Sequence, residues 1–333
     1  MRITYVTAGV VLALLAACMP AAETADQLPS WNDGPVKQAI VQFVQQVTDP
    51  TNPEFIPDAR RVAVFDNDGT LWAEQPMYVQ LAFAIDRIRT MADAHPEWQH
   101  QPPYAGILSG DSATLAALSM HDVSEIVTAT HSGMTTDEFR RLVSDWLRTA
   151  RHPRFDRPYT DLAYQPMLEL LAFLRANEFR TYIVSGGGID FMRAFTEEVY
   201  GIPPEQVVGS MGALRFELRD STPVLIKEPG VEFVDDGPGK PIGIERFVGR
   251  RPIAAAGNSD GDLQMLQYTA ADPGSPLTLL VHHDDAAREW AYDRASSIGH
   301  LDKALDAARA RDWTVVSMKN DWSVVFAFEK GPR

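Results

Sequence analysis

The segment Val62-Ala63-Val64-Phe65-Asp66-Asn67-Asp68-Gly69 constrains this chain more than any other. Four apolar residues, two of them β-branched, read as a strand buried on both faces, the pattern of a parallel sheet. The strand ends in two carboxylates two residues apart, and Gly69 turns the chain there. Open α/β sheets hold their ligands at the carboxyl ends of their strands. Two acids packed together repel unless a positive charge lies between them. A divalent cation with oxygen ligands is the simplest such charge.

The remaining sequence extends this scheme. Helical spacing covers 36–47, with Ile40, Phe43 and Val47 on one face. From 76 to 150 the pattern is helical without a strand. Helices are expected from Val79 to Ile88 and over 112–118, 121–129 and 136–148, with Ser112 and Thr136 as caps. Pro153 and Pro158 mark a linker. Strand and helix then alternate: helix 165–177, strand 179–185, helix 189–200 and a strand from Val207. A hairpin over 214–218 and 224–227 turns at Asp220-Ser221-Thr222. A helix over 241–248 and strands over 252–256 and 277–282 complete the pattern. Such alternation predicts an α/β protein with a Rossmann-like, doubly wound parallel sheet. The expected core is 34–75 with 151–333, and 76–150 is an all-helical insert.

The chain has 333 residues, 45 acids against 30 bases and a net charge of -15. That balance repels phosphate backbones, so no nucleic-acid partner is expected. The one long apolar run lies at the start, where Arg2 precedes Val10–Ala17 and Leu15-Ala16-Ala17-Cys18 ends it. This layout reads as a secretory signal. Its ending resembles a bacterial lipobox, which implies that 1–18 is a lipoprotein signal with Cys18 lipidated. An ordinary signal peptide with a chance cysteine is the alternative. Residues 19–33 read as a polar tether. The resemblance implies a lipid-anchored protein of the cell envelope, and Met19 points to the outer rather than the inner membrane. Cys18 is the only cysteine, so no internal disulfide can form.

Four places carry chemistry. At Asp66-Asn67-Asp68, a carboxylate on a strand end can attack phosphorus, and a second acid can protonate a leaving oxygen. A calcium loop would need Glu at its twelfth position, which is Met77 here. A plain Asp-Gly turn remains the other reading. At Ser185-Gly186-Gly187-Gly188, a hydroxyl and backbone N–H groups before a helix can hold a phosphate, or form only a tight turn. Lys240, just before a helix, can neutralise charge across the sheet end; Lys227 competes from its hairpin. At Gly257-Asn258-Ser259-Asp260-Gly261-Asp262, oxygen side chains at a strand end suit a hard cation such as Mg²⁺, or else cap a helix.

This ordered set resembles the haloacid dehalogenase superfamily of phosphohydrolases, over about 61–282. The resemblance implies Asp66 as nucleophile and Asp68 as general acid/base, with Ser185, Gly186 and Lys240 on the phosphate. It implies Mg²⁺ held by Asp66, Asp68, Asn258 and Asp262. Family members carry Asp where this chain has Asn258, so Asp260 is a further candidate. An acid two residues after the nucleophile favours phosphate esters over halides, whose departure needs no proton. The insert resembles a cap that selects small phosphorylated molecules. Glu74 stands near the position of a carboxylate that holds the substrate amine in phosphoserine phosphatases, so phosphoserine or phosphocholine is a candidate. Trp72 and Tyr78 line the same entrance or simply pack. A surface lipoprotein that binds a ligand or metal without turnover is the competing reading, and Asn258 is the feature that permits it. Phosphotransfer to an alcohol differs only in the acceptor.

Overall fold

The computed structural model describes residues 26–330 except 112, 113 and 116. The expected signal segment with Cys18, part of the tether, and the cap assigned to Ser112 lie outside these residues. A seven-stranded sheet has the order β4-β3-β2-β1-β5-β6-β7. Its strands are β1 (Val62–Phe65), β2 (Arg180–Gly188), β3 (Val207–Arg219), β4 (Thr222–Phe233), β5 (Ala254–Gly257), β6 (Leu277–His282) and β7 (Thr314–Ser317). All neighbours run parallel except β3 and β4, which pair antiparallel from Met211↔Phe233 to Arg219↔Thr222. The sheet is therefore parallel-dominated and mixed, and the hairpin at its edge is much longer than the sequence pattern marked. From β1 the chain moves to β2 and β3 on one side, then returns to β5 on the other. The switch point thus falls between β1 and β5.

Alternation along β1 divides the core. Ala63 and Phe65 join the cluster containing Phe43, Val44 and Val47 of α1 (Pro35–Thr48) and Leu170, Leu171 and Leu174 of α6 (Gln165–Ala176). Val62 and Val64 face the opposite way, onto Met265 and Leu266 of α10 (Leu263–Ala270) and Ala304, Leu305 and Ala308 of α11 (Lys303–Ala310). Each large apolar side chain removed from water stabilises the fold by about 1.5–3 kcal/mol. β1 is thereby pinned on both faces, and its last residue has little freedom of position.

Between β1 and α6 lie α2 (Val79–Met91), α3 (Tyr104–Ser109), α4 (Met120–His131) and α5 (Thr136–Thr149). Ala84, Ile85, Ile88, Trp98, Tyr104, Ile107 and Ile126 form a separate core there. The cap of α5 is Thr135 rather than Thr136. Its hydroxyl accepts from Glu138 N at 3.0 Å, and Glu138 accepts from Thr135 N at 2.7 Å. That reciprocal pair satisfies two otherwise orphaned donors. The expected helix over 189–200 is two short helices, α7 (Ile189–Met192) and α8 (Thr196–Tyr200). Between them Phe195 leaves helical geometry at φ −139° and stacks on Trp72 with centroids 4.5 Å apart. The helix expected over 241–248 begins earlier, as α9 (Gly239–Gly243), and continues as a π-turn to Val248.

Candidate active site

β1 delivers Asp66 to the sheet end, where its N–H donates to Ala256 O of β5 at 3.0 Å. Lys240 of α9 reaches across 174 positions, and its Nζ donates to Asp66 Oδ1 at 2.6 Å. The same ammonium lies 2.5 Å from Asp262 Oδ1. Asp262 Oδ2 accepts from the backbone N–H groups of Asn258 at 2.9 Å and Ser259 at 3.0 Å. Asp262 therefore closes its own loop and orients the lysine. Lys240 is 2% exposed, Asp66 6% and Asp262 0%.

Such burial costs free energy for every charge. It pushes the Asp66 carboxyl up to about 8, with the Asp262 charge adding to the rise and Lys240 opposing it. Burial raises Asp68 as well, against hydrogen bonds from Trp72 and Asn67. Lys240 loses by burial but gains more from Asp262 and Asp66, so it stays charged.

The turn after β1 is tightly held. Leu71 N donates to Asn67 O and Gly69 N to Trp72 O, both at 2.8 Å. Gly69 has φ 74°, a conformation open to glycine, and an added Cβ would collide with Asn258 and Glu74. Trp72 Nε1 donates to Asp68 Oδ1 at 2.8 Å, and Tyr200 OH donates to Asn67 Oδ1 at 3.1 Å. His283 Nε2 donates to Gly69 O at 2.7 Å while Nδ1 lies 3.1 Å from Glu289 Oε2. Both partners only accept, so both ring nitrogens carry protons. Burial works against that charge, but Glu289 and Glu74 prevail and hold the His283 pKa above its usual value.

Asn258 sits beside this turn. Thr70 Oγ1 donates to its Oδ1 at 3.0 Å, and its Nδ2 donates to Glu74 Oε1 at 2.7 Å. Tyr292 OH donates to the same Glu74 oxygen at 2.8 Å. Glu74 is 2% exposed, and burial raises it to about 8. It lies against Asn258 rather than at an open entrance. Asp260 points elsewhere: Oδ1 accepts from Asp302 N and Ala304 N at 2.9 Å, capping α11. It is no candidate for the cation.

At the end of β2, Ser185 is buried and accepts from Gly187 N at 3.3 Å, while Gly186 is exposed. The glycines lie beside Asp68: a Cβ at Gly187 would stand 3.7 Å from Asp68 Oδ2. Gln80 of α2 descends onto this loop and accepts from Gly188 N at 2.7 Å. Its Nε2 lies 3.2 Å from His131 Nε2. Lys227 is absent from this group; it pairs with Asp190 and lies 4.8 Å from the Phe139 ring centroid. Tyr78 OH accepts from Gly299 N at 3.4 Å.

Among the described residues, no three His, Cys, Asp or Glu side chains form a ready cation cage. The charge balance nonetheless fits a hard cation. Asp66, Asp68, Asp262 and Glu74 crowd one sheet end, and Lys240 alone bridges two of them. The neighbouring oxygens are carboxylate, amide and main-chain carbonyl, the donors Mg²⁺ accepts.

The haloacid dehalogenase-like hydrolase model matches residues 63–267. The chain belongs to that family. Its fold is similar to that of a conserved, functionally unknown protein from Anaerococcus prevotii DSM 20548, at 17% identity and TM-score 0.55. That match covers 87% of this chain and 93% of the other. A protein of unknown function from Bordetella pertussis Tohama I matches at 15% identity and TM-score 0.50, covering 77% and 98%. No curated protein matches the sequence.

The structure thus joins Asp66, Lys240 and Asp262 directly, and Asn258 with Glu74. Sequence reasoning placed Thr70 in the first motif without a role of its own and passed over Gln80, His131, Tyr200, His283, Glu289 and Tyr292. Each acts across at least 51 positions except the His283–Glu289 pair. No local spacing announces such contacts.

Proposed function

We propose that the protein is a phosphomonoester hydrolase working on a small phosphorylated molecule. The observation that carries this reading is the Asp66–Lys240–Asp262 group at the switch point, with Asp68 held by Trp72. Asp66 attacks phosphorus, the bond to the ester oxygen breaks, and an aspartyl-phosphate forms. Asp68 gives its proton to the departing alkoxide, and its raised pKa suits that task. Asp68 then takes a proton from water, which attacks phosphorus and frees Asp66 and inorganic phosphate. Lys240, Ser185 and the N–H groups from Gly186 onward stabilise the equatorial oxygens. Asp66, the Asp68 carbonyl and Asn258 would hold Mg²⁺, with Asp262 positioning Lys240. The ion would supply the charge that lets an anionic nucleophile meet an anionic ester.

On this reading the helical insert is a cap, and Gln80 and His131 bring it to the reacting groups. Because Glu74 is enclosed, we assign it to Asn258 rather than to a substrate amine. The test is release of nitrophenol from p-nitrophenyl phosphate. Release should need Mg²⁺, stop with EDTA and vanish in Asp66→Asn. Metal binding without release at any pH would favour the non-catalytic binder.

We also propose that the mature protein is held on a bacterial envelope membrane through Cys18, on the strength of the Leu15-Ala16-Ala17-Cys18 ending. Cys18→Ser should move the protein from the membrane fraction to the soluble one. Unchanged fractionation would overturn the anchor.

A further inference from the structure

We infer that Gln80 is a positioning residue for the glycine run that receives the phosphate, and that His131 fixes which way its amide faces. This rests on the phosphate-ester reading above and adds the means by which the insert acts on the site. The first ground is a hydrogen-bond chain whose direction is imposed from both ends. Gly188 N–H can only donate, and it donates to Gln80 Oε1 at 2.7 Å. At the far end Ile126 O can only accept, and Thr130 Oγ1 donates to it at 2.7 Å. That hydroxyl has a single proton, so the ring must donate across the 2.7 Å contact between His131 Nδ1 and Thr130 Oγ1. With Gln80 Oε1 turned to Gly188, Nε2 is the atom 3.2 Å from His131 Nε2, and it donates. His131 is therefore neutral, with its proton on Nδ1. Burial and the nearby cations Lys227 and Arg87 favour that neutral ring. Turning the amide over would set two donors face to face at Gly188.

The second ground is what the chain holds. Glycines bring no side chains to fix a loop and lose the most freedom when ordered. The ladder to β3 shifts register between Ser185 and Gly188, so sheet pairing does not hold the run along its length. Ser210 Oγ donates to Gly186 O at 2.8 Å and secures one end; Gln80 secures the other. A Cβ at Gly187 would stand 3.7 Å from both Gln80 Oε1 and Asp68 Oδ2, so the amide and the acid flank the same glycine. A Cβ at Gly188 would meet Gln80 Nε2 at 2.7 Å.

The third ground is where the members come from. Gln80 belongs to α2 and His131 to α4, and these helices share the core of Ala84, Ile85, Ile88 and Ile126. Thr130 and His131 are both buried. A shift of either helix breaks the chain and frees Gly188. The packing of the insert and the shape of the phosphate-binding run are thus tied through one amide.

The experiment uses the full chain and two readouts, inorganic phosphate binding with Mg²⁺ present and hydrogen exchange at the Gly188 amide by NMR. Gln80→Leu should raise the phosphate Kd about tenfold and speed Gly188 exchange by about as much. His131→Phe keeps a packed ring but no acceptor, and should shift both readouts the same way. The double variant Gln80→Leu/His131→Phe should be no worse than Gln80→Leu, because both changes break one chain. His131→Gln restores an acceptor and should return both readouts to within about threefold of wild type. Unchanged Gly188 exchange in Gln80→Leu, additive losses in the double variant, or His131→Gln as impaired as His131→Phe overturns the inference. If Gln80→Leu does not fold, the ¹⁵N spectrum of the wild-type His131 ring decides: a proton on Nδ1 alone supports the chain, and a proton on Nε2 overturns it. Wild-type protein that binds no phosphate would fell the phosphate-ester reading, while Gly188 exchange would still decide the role of Gln80.

Discussion

Lys240 Nζ lies 2.6 Å from Asp66 Oδ1, and the same nitrogen touches Asp262, so one buried ammonium serves two buried carboxylates. Removing one partner of such a group leaves uncompensated charge. Lys240→Met should lower folding stability by about 3–5 kcal/mol in urea titration. It should also cut turnover by about 10²–10³-fold, because a preorganised donor to the phosphoryl oxygens is lost. Stability within 1 kcal/mol of wild type would show that the carboxylates do not depend on the lysine.

Asp68 is assigned the proton for the leaving oxygen, so its importance should follow leaving-group basicity. Asp68→Asn should slow an alkyl phosphate by about 10²–10⁴-fold. It should slow p-nitrophenyl phosphate far less, since nitrophenolate leaves without a proton. Equal losses on both esters would remove Asp68 from the acid role.

Asp66 fixes the sign of a pH effect on the metal-free protein. Its folded pKa is about 8 against an ordinary 3.8. Between these values the folded state holds a proton that the unfolded chain has released. Stability must then fall as pH rises through that window and level off above 8. Glu74, raised to about 8, adds to the same slope. Melting in EDTA should therefore worsen from pH 5 to pH 8, and Asp66→Asn should reduce the decline. A metal-free protein that gains stability over this range contradicts the assignment.

His131 sets the opposite sign. Burial, with Lys227 and Arg87 nearby, lowers it from 6.5 to about 3. The unfolded chain binds its proton first, so stability is full above 6.5 and is lost as pH falls towards 3. At pH 5 the loss is about 2 kcal/mol for this one group. The ring packs on Phe83 and Phe139, so the loss should be felt first in the helical insert. His131→Gln should show a shallower acid slope than wild type in denaturant titrations at pH 8 and pH 5. Parallel slopes would place the acid sensitivity elsewhere.

Much of the frame was legible because its signals are local. β1, β2, β5 and β6 carry apolar runs closed by Asp, Ser-Gly, Gly-Asn or His, and each appears where the pattern marks it. The 79–149 stretch has helical periodicity and forms helices. What was illegible depends on distant partners. Helix 189–200 breaks where Phe195 stacks on Trp72, over a hundred positions away. Thr135 and Thr136 are equally good caps by type, and only geometry selects the first. β7 is a short four-residue strand whose place is set by pairing with β6. At the site, Asp66, Lys240 and Asp262 were readable as an ordered set. The role of Asp260 was not, because its partners at 302–304 begin a helix that the pattern left unmarked.

Gly69, at φ 74° with Asn258 and Glu74 pressed against its Cα, carries one more consequence. Position 69 is closed to drift unless both neighbours are rebuilt with it. In a related sequence, any other residue aligned there announces a different arrangement around the nucleophile. That single letter is then a cheaper guide to which relatives share this chemistry than overall identity is.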